Sequence, residues 1–395
     1  MVNEKMKGLG KQSSAIRELF EYGKIRKQEI GNDNVFDFSI GNPNVKTPDF
    51  VNEKLIELIK NTDSVSLHGY TSASGDLNTR NAIASYLNKT FKCNEQGKYI
   101  YLTLGAAASL SIAFNALLNE NEEVILFAPF WPEYKVLAEK ANGKIVIVKS
   151  DDNFYPDMQD FESKINKKTK IVIINSPNNP TGVIYNEDVI KEISNILNRK
   201  QEEYNHDIYL LSDEPYRELI YGNEKYPFIT NYYDNSLVAY SFSKSLSLPG
   251  ERVGYLLVSN KCNQVDDVFA SVCGAGRSLG FVCANSLFQR LIPYVLDITS
   301  DLTPYKINRE LLYKGLTDLG YEVIYPSGAF YMFVKALEED DEHFSNVAKE
   351  HELLLVPSSS FGVKGYVRIS YCVATDVIKN AMPAFLKLMK HYKGE

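Results

Sequence analysis

Cysteine and histidine are both scarce in this chain, with five of each among 395 residues. The cysteine count is odd and no two cysteines have CxxC spacing, which argues against a disulfide framework or a structural zinc site. The histidines are scattered without metal-ligand spacing, so we predict no metal site. Reduced thiols in or near the core are the better interpretation of Cys93, Cys262, Cys273, Cys283 and Cys372.

Long apolar runs and blocks of basic charge are also missing. No stretch approaches about eighteen apolar residues, and the N-terminal region is charged without an apolar segment. We therefore predict no membrane span and no signal peptide, and we expect a cytoplasmic location. The net charge of −7 is spread over interspersed charges of both signs. Without a basic patch or tail, we expect no nucleic-acid partner.

Apolar strand patterns alternate with helical patterns through the middle of the chain. The predicted strands are 99–104, 124–128, 144–148, 171–175, 208–212, 237–242 and 253–258. The predicted helices between them are 107–118, 132–141, 157–165 and 186–199. The apolar run at 171–174 is continuous, which indicates burial on both faces in a parallel sheet covered by helices. We predict a large α/β domain with a mainly parallel mixed sheet at residues 50–290.

A different pattern follows that domain. The predicted elements are a helix at 302–319, strands at 329–334, 353–356 and 366–371, and a helix at 375–392. They indicate a smaller α+β domain at residues 291–395. Residues 1–49 are predicted to form an N-terminal arm and part of the small domain, packing with it or reaching a partner subunit.

Lys244 lies among serines directly after a strand pattern. Partial desolvation there favours the neutral amine, which can attack a carbonyl to form a Schiff base. The serines and Arg252, eight residues later, are suited to holding a phosphate. Taken alone, the segment is more simply interpreted as a surface lysine in a serine-rich loop, but the rest of the chain reverses that preference.

Three further loops carry unusual residues at the ends of predicted strands. At Gly105 a strand ends and a helix begins, so its amides could bind a phosphate, although such turns are commonplace. The prolines of segment 175–182 fix a turn that could present Asn179 rigidly, or could leave its amide in solvent. Asp213 ends an apolar run and needs a partner, which could be the next turn or a ring-nitrogen cation.

Four motifs follow one another in a specific order. They are Asn179-Pro180-Thr181-Gly182, Asp213-x-x-Tyr216, Ser241-x-Ser243-Lys244 with Arg252, and Tyr366-Val367-Arg368-Ile369-Ser370. With them, the chain resembles the class I aminotransferases from about Phe36 to about Leu388. These are pyridoxal-phosphate enzymes of fold type I, a group that includes aspartate aminotransferase.

The resemblance implies a role for each matching residue. Lys244 would form the Schiff base with pyridoxal phosphate and then move the proton between substrate Cα and cofactor C4′. Asp213 would pair with the protonated pyridine nitrogen, and Asn179 and Tyr216 would bind O3′. Trp131, the only tryptophan, would stack on the ring. Together with Asp213, Lys244 and Tyr216 form the predicted catalytic set.

The same resemblance implies phosphate and substrate contacts. The predicted phosphate cradle consists of Gly105, Ala106, Ala107, Ser241, Ser243 and Arg252. Arg368 would bind the substrate α-carboxylate as a two-pronged donor, with the Gly41 backbone and Asn179 beside it. Tyr70 would reach the phosphate of the other subunit, which implies a homodimer with shared active sites.

Two departures from the family pattern concern the substrate and one loop. Relatives that prefer dicarboxylic substrates place a lysine after the phosphate-loop glycines or an arginine from the partner subunit. Segment 105–108 has no cation. Arg277 is a hypothetical binder of the side-chain carboxylate, with a structural loop arginine as the alternative. Ser358 stands where many relatives have glycine, which leaves the local loop shape open.

The sequence therefore predicts a transaminase that exchanges an amino group between an L-amino acid and a 2-oxo acid, with an aspartate or broad-range preference. A C–S β-lyase of the same fold is the alternative, although such lyases usually place a histidine near segment 213–216. A catalytically silent regulator that binds pyridoxal phosphate is a more distant alternative, because regulators of this fold carry a fused DNA-binding segment.

Overall fold

The structure, a computed structural model, describes residues 2–11 and 14–395. The strands in those residues are β1 (Phe36–Asp37), β2 (Ile100–Thr103), β3 (Glu123–Phe127), β4 (Lys144–Val148), β5 (Thr169–Asn175), β6 (Tyr209–Asp213), β7 (Ser236–Ser241), β8 (Gly254–Val258), β9 (Val323–Ile324), β10 (Tyr331–Lys335), β11 (Leu353–Leu354), β12 (Val356–Pro357) and β13 (Tyr366–Ser370). The helices are α1 (Glu4–Lys11), α2 (Ala15–Ile30), α3 (Asp49–Asn61), α4 (Ser64–His68), α5 (Leu77–Phe91), α6 (Ala106–Leu117), α7 (Glu133–Lys140), α8 (Met158–Lys164), α9 (Glu187–Tyr204), α10 (Phe242–Ser245), α11 (Val265–Leu279), α12 (Ser286–Leu291), α13 (Thr303–Asp318), α14 (Asp341–Glu350) and α15 (Thr375–Lys393).

The chain divides into two compact units. The larger unit comprises Val45–Asn178 and Val183–Asp301. The smaller unit comprises Met1–Asn44, Asn179–Gly182 and Leu302–Glu395. The division into domains 1–49, 50–290 and 291–395 stays a prediction.

The larger unit is organised around a seven-stranded sheet in the order β2-β8-β7-β6-β5-β3-β4. Neighbouring strands from β7 through β4 pair in parallel, whereas β8 runs antiparallel to both β2 and β7. Strands β6, β7 and β8 are buried along their whole length. Consecutive apolar residues in these strands point to opposite faces of the sheet, so both faces have to be covered, which explains this burial. The predicted mainly parallel mixed sheet is confirmed.

Several helices of the larger unit begin at residues whose side chains cap them. The Asn186 side chain accepts a hydrogen bond from the Val189 amide at the start of α9, and the Asp76 side chain accepts one from the Thr79 amide at the start of α5. Such caps satisfy amides that have no partner within the helix. The sequence did not predict α5, whose apolar residues are interrupted by polar ones.

The smaller unit contains an antiparallel sheet in the order β12-β13-β10-β9 and a parallel pair of β1 with β11. Helices α13 and α15 pack against each other, and Tyr321 donates a hydrogen bond to the Phe385 carbonyl of α15. The Ser370 amide of β13 donates to the Phe38 carbonyl, which ties the N-terminal segment to this sheet. Across residues 2–11 and 14–395, every helix is too short or too polar to cross a membrane.

Candidate active site

The carboxylate of Asp213 lies at the carboxyl end of β6 and is only 4% exposed. Tyr134 donates a hydrogen bond from Oη to Oδ2 at 2.6 Å, but Oδ1 is buried without a hydrogen-bond partner. Burial raises the pKa of Asp213 to about 7, an effect that Tyr134 opposes and Glu214 reinforces. A buried carboxylate with one uncommitted oxygen is suited to a cationic partner.

Strand pairing explains where Asp213 is held. In the parallel register Asp213 lies between Asn175 of β5 and Ala239 of β7. Asn175 donates from Nδ2 to the Asp213 carbonyl at 2.9 Å. Because the carboxyl ends of parallel strands meet at one edge, the loops after β5, β6 and β7 gather there, as at the ligand sites of open α/β sheets.

Tyr134 is a residue of this cluster that the sequence did not predict. It is buried on α7, and its ring lies 5.4 Å from that of Trp131 at an interplanar angle of 87°. Burial, followed by the charge of Asp213, raises the pKa of Tyr134 well above its ordinary value, so the phenol stays a donor. An aromatic residue three positions after Trp131 was the available signal in the sequence.

Gly105 and Arg252 come together at the amino terminus of α6. Gly105 precedes the helix with φ of +88°, and a Cβ at this position would lie 2.8 Å from Arg252 Nη2. Arg252 donates to the carbonyls of Pro249 at 2.8 Å and Leu104 at 3.1 Å. Ala106 and Ala107 form the first turn of α6. Free helix amides beside a guanidinium form a site for an anion such as phosphate.

Lys244 lies on the one-turn helix α10, directly after β7. Ser241 caps this helix by accepting from the Ser243 amide at 3.2 Å, and the two serine hydroxyls are 2.7 Å apart. Lys244 is half-buried, whereas both serines are buried. Tyr216 is buried in the turn that follows β6. The larger unit thus carries the predicted lysine, carboxylate, tyrosine and phosphate loop at or just after the ends of strands β7, β6 and β2 of one sheet.

Arg368 is the centre of a second cluster, in the smaller unit. It is 2% exposed on β13, and Nη1 donates to Asn179 Oδ1 at 3.0 Å while Nη2 donates to the Ser39 carbonyl. Its guanidinium carbon lies 4.6 Å from the ring centre of Tyr331 and 5.1 Å from that of Phe361. These contacts fix the plane of the guanidinium, which a two-oxygen anion requires. The contact with Ser39 was not predicted.

Gly41 belongs to the same unit and has no room for a side chain. A Cβ there would lie 2.0 Å from Tyr331 Oη. Only glycine therefore lets the backbone pass this close to the tyrosine that packs on Arg368. This crowding gives a physical reason for glycine at position 41, where the backbone is predicted to contact the substrate carboxylate.

Three other singled-out residues lie outside these clusters. Tyr70 is 99% exposed in the single chain. Arg277 is exposed in the last turn of α11. It lies on a helix and not in a loop, because Val265–Leu279 is one continuous helix despite its glycines, and both its carboxylate-binding role and its structural role stay predictions. Ser358 is buried, and its hydroxyl accepts from the Tyr366 amide at 3.0 Å, a contact that glycine could not make.

Comparison with known proteins agrees with this architecture. Residues 33–385 match the family described as aminotransferase class I and II. The crystal structure of an aminotransferase from Eubacterium rectale is 52% identical, covers 99% of both chains and superposes with a TM-score of 0.97. The aspartate aminotransferase of Pyrococcus horikoshii is 31% identical over 96% of this chain and 95% of its own. A probable aspartate aminotransferase of Methanocaldococcus jannaschii is 30% identical over 97% and 98%.

The chain belongs to the aminotransferase class I and II family. The predicted family, the fold of that family and the predicted transaminase class are confirmed.

Proposed function

We propose that this enzyme binds pyridoxal phosphate through Lys244 and transfers the amino group of an L-amino acid, with aspartate as the first candidate donor, to a 2-oxo acid. The observation that carries the proposal is the buried Asp213, whose Oδ1 has no hydrogen-bond partner at the carboxyl edge of a parallel sheet. A protonated ring nitrogen is a cation of the kind that this oxygen needs.

The residues of the larger unit fit the rest of the cofactor. Phosphate needs donors and positive charge, which the amino terminus of α6 and Arg252 supply. Glycine at position 105 lets Arg252 approach the backbone, because a Cβ there would lie 2.8 Å from Arg252 Nη2. Trp131 offers an aromatic face, and Tyr216 is proposed to donate to the phenolic oxygen, as its family position implies.

Pyridoxal phosphate, when bound, supplies an electron sink that stabilises negative charge on the substrate Cα. Lys244 would hold the cofactor covalently and would be the base that moves the proton at the substrate Cα. Asp213 would hold the ring nitrogen in its protonated form. Its capacity to do so depends on ionisation, because only the carboxylate attracts that proton.

Arg368 is proposed to bind the substrate α-carboxylate in the smaller unit. Its Nη1 donates to Asn179 Oδ1 and its Nη2 to the Ser39 carbonyl, which fixes the orientation of the guanidinium. A carboxylate can accept two parallel hydrogen bonds from the same guanidinium and adds the opposite charge. This contact orients the Cα–H bond of every amino acid in the same way, whatever its side chain.

The choice of aspartate as donor rests on the names of relatives such as the Pyrococcus horikoshii enzyme. Segment 105–108 contributes no cation for a side-chain carboxylate. Arg277, exposed on α11, is proposed to fill that role in a neighbouring subunit.

A homodimer with shared active sites is part of the proposal. Tyr70 exposes 99% of its surface, and Val65 on the preceding helix exposes 82%. Large apolar side chains exposed together are typical of a surface that another protein covers. Sedimentation analysis tests this part, and a monomer that retains full activity would contradict it.

Borohydride reduction of the holoenzyme, followed by peptide mass mapping, tests the cofactor assignment. We expect the phosphopyridoxyl mass on the peptide that contains Lys244, and its loss together with turnover in Lys244→Ala. Label on another lysine would contradict the proposal. An amino-acid panel with 2-oxoglutarate then ranks the donors. Release of pyruvate and ammonia from a cysteine conjugate without a 2-oxo acid would instead identify a β-lyase.

A further inference from the structure

The larger unit buries an ion pair that the proposed reaction does not use. Arg217 Nη1 lies 3.0 Å from Glu214 Oε2, with side chains 3% and 0% exposed. Arg217 Nε is also 3.1 Å from Glu218 Oε1. Removing such charges from water costs several kcal/mol each, which good geometry only partly offsets. A buried pair is therefore weak support for stability, and a positional role has to be considered.

The ion pair lies on the face of the sheet opposite to the Asp213 carboxylate. Successive residues of an extended chain point to opposite faces, and the Glu214 amide continues the ladder by donating to the Ala239 carbonyl. Asp213 bonds Tyr134 of α7, whereas Glu214 bonds Arg217. The two neighbouring acids thus take part in separate clusters.

Arg217 rests on two tyrosines of the adjacent strands. Its guanidinium carbon lies 4.2 Å from the ring centre of Tyr240 in β7, and Nη1 donates to Tyr255 Oη in β8 at 3.2 Å. Tyr240 and Tyr255 are direct partners in the sheet, and their rings stack 4.9 Å apart. Arg217 follows Tyr216 directly, so the turn that carries Tyr216 is anchored to both strands.

Tyr240 continues the contact to the lysine turn. Its hydroxyl is 2.9 Å from Ser245 Oγ, and both residues are buried. Ser245 follows Lys244 directly in α10. The Ser300 amide donates to the Ser245 carbonyl at 2.7 Å, which fixes the end of the same turn. A continuous series of contacts therefore runs from Arg217 through Tyr240 to the residue next to Lys244.

We propose that Arg217 is a positioning residue. From the face of the sheet opposite to the Asp213 carboxylate, it holds the turn that carries Tyr216 in a fixed position relative to the turn that carries Lys244. The inference rests on the proposed function of Lys244 and Tyr216. Arg217 acts through Tyr240 and Ser245 and touches neither the substrate nor the cofactor. A proton transfer at Lys244 depends on placement within a fraction of an ångström, so a loosened turn lowers the rate of chemistry rather than substrate binding.

Removing the guanidinium outright would be a poor test. The titratable groups facing it are Glu214, Glu218, Tyr86, Tyr226, Tyr240 and Tyr255. Without Arg217 two carboxylates would remain buried with no cation between them, which can prevent folding. Tyr240→Phe removes only the hydroxyl that reaches Ser245, and Arg217→Lys keeps the charge but loses the planar fork.

The experiment compares holoenzymes of Tyr240→Phe, Arg217→Lys and the control Tyr233→Phe. The Tyr233 hydroxyl is also buried in this unit, but it donates to the Ile208 carbonyl at 2.7 Å, away from Lys244. We expect about a tenfold fall in kcat with KM within about twofold in the first two variants. We also expect a displaced pH midpoint of the visible absorbance of the bound cofactor, which reports on Lys244. The control should match wild type in both.

Several results would overturn the inference. One is that Tyr240→Phe and Arg217→Lys keep the wild-type kcat and the wild-type pH midpoint of the cofactor absorbance. Another is that the control Tyr233→Phe loses as much kcat as these two variants do. If Arg217→Lys does not fold, Tyr240→Phe still decides. A wild-type chain that binds no cofactor removes the proposed function and this inference with it. An active wild type with variants indistinguishable from the control removes only this inference.

Discussion

The two compact units bury opposite charges at their candidate functional clusters. The larger unit buries the Asp213 carboxylate, whose Oδ1 lacks a hydrogen-bond partner and whose pKa is raised to about 7. The smaller unit buries the Arg368 guanidinium, held by the neutral oxygens of Asn179 and Ser39. Burying the Asp213 carboxylate costs free energy in the absence of a ligand of the opposite charge.

This contrast suggests how one chain separates two tasks. A buried carboxylate favours a cation and a buried guanidinium favours a planar anion, so under the proposed function Asp213 would bind the ring nitrogen and Arg368 the substrate carboxylate. We infer that substitution of Asp213 mainly alters the chemical step, whereas substitution of Arg368 mainly alters substrate binding. The following substitutions test that division.

The largest effect is expected for Asp213→Asn. Asparagine still accepts from Tyr134 but cannot neutralise a ring cation, so kcat should fall on the order of 1000-fold. The cofactor-free protein should gain stability from the same change. Burial holds the folded pKa near 7, above the ordinary 3.8, so wild type loses stability relative to the variant as pH rises from about 4 to about 7.

Urea unfolding of the cofactor-free proteins at several pH values measures that difference. The upper limit is about 4 kcal/mol in favour of Asp213→Asn at pH 8, with no difference below pH 3. Glu202→Gln, an exposed carboxylate on α9, serves as the control and should show little change. A variant less stable than wild type at pH 8 would contradict the account of Asp213.

Arg368→Lys should have the next largest effect. Lysine keeps the charge but cannot donate two parallel hydrogen bonds in one plane. We expect kcat/KM to fall about 100-fold, through KM, for every amino acid tested, while the visible spectrum of the cofactor stays unchanged. Steady-state kinetics with aspartate and alanine measure it, and a loss confined to one side chain would show that Arg368 does not bind the shared carboxylate.

Tyr134→Phe should have a smaller and pH-dependent effect. The Tyr134 hydrogen bond lowers the pKa of Asp213, so its loss raises that pKa further and leaves less carboxylate near neutrality. Cofactor affinity should fall about 10- to 30-fold at pH 7 and recover partly at pH 9. Tyr185→Phe, a buried neighbour not bonded to Asp213, is the control. An equal loss at both pH values would contradict this role.

The smallest effect is expected for Arg277→Ala. If Arg277 of a neighbouring subunit binds the side-chain carboxylate, KM for aspartate and glutamate should rise about tenfold while KM for alanine stays constant. A matched change for all three substrates would remove Arg277 from the binding site and leave the roles of Asp213 and Arg368 untouched.

The sequence predicted the sheet of the larger unit closely, because its strands are short continuous apolar runs separated by polar turns. The strand predicted at 144–148 coincides with β4, and the one predicted at 208–212 differs from β6 by one residue at each end. Helices were harder to predict where polar residues interrupt the apolar face, as in α5, or where glycines suggest a loop, as in α11.

The positions of Asp213 and Arg368 followed from motif order, but their contacts did not. Tyr134 lies 79 residues from Asp213 along the chain, and the bond between them depends on how α7 packs beside β6. Arg368 meets Asn179 and Ser39 from 189 and 329 residues away. Such pairings depend on side-chain geometry in three dimensions, and a single sequence carries no local signal for them.

The single-turnover reaction of cofactor-loaded enzyme with aspartate tests the division of roles between Asp213 and Arg368 most directly. The visible absorbance gives both the rate at saturation and the half-saturation concentration. We predict that Asp213→Asn lowers the saturating rate by more than about 100-fold with little change in half-saturation, and that Arg368→Lys raises half-saturation by about 100-fold. The same pattern of loss in both variants, or the two patterns exchanged, would contradict the account.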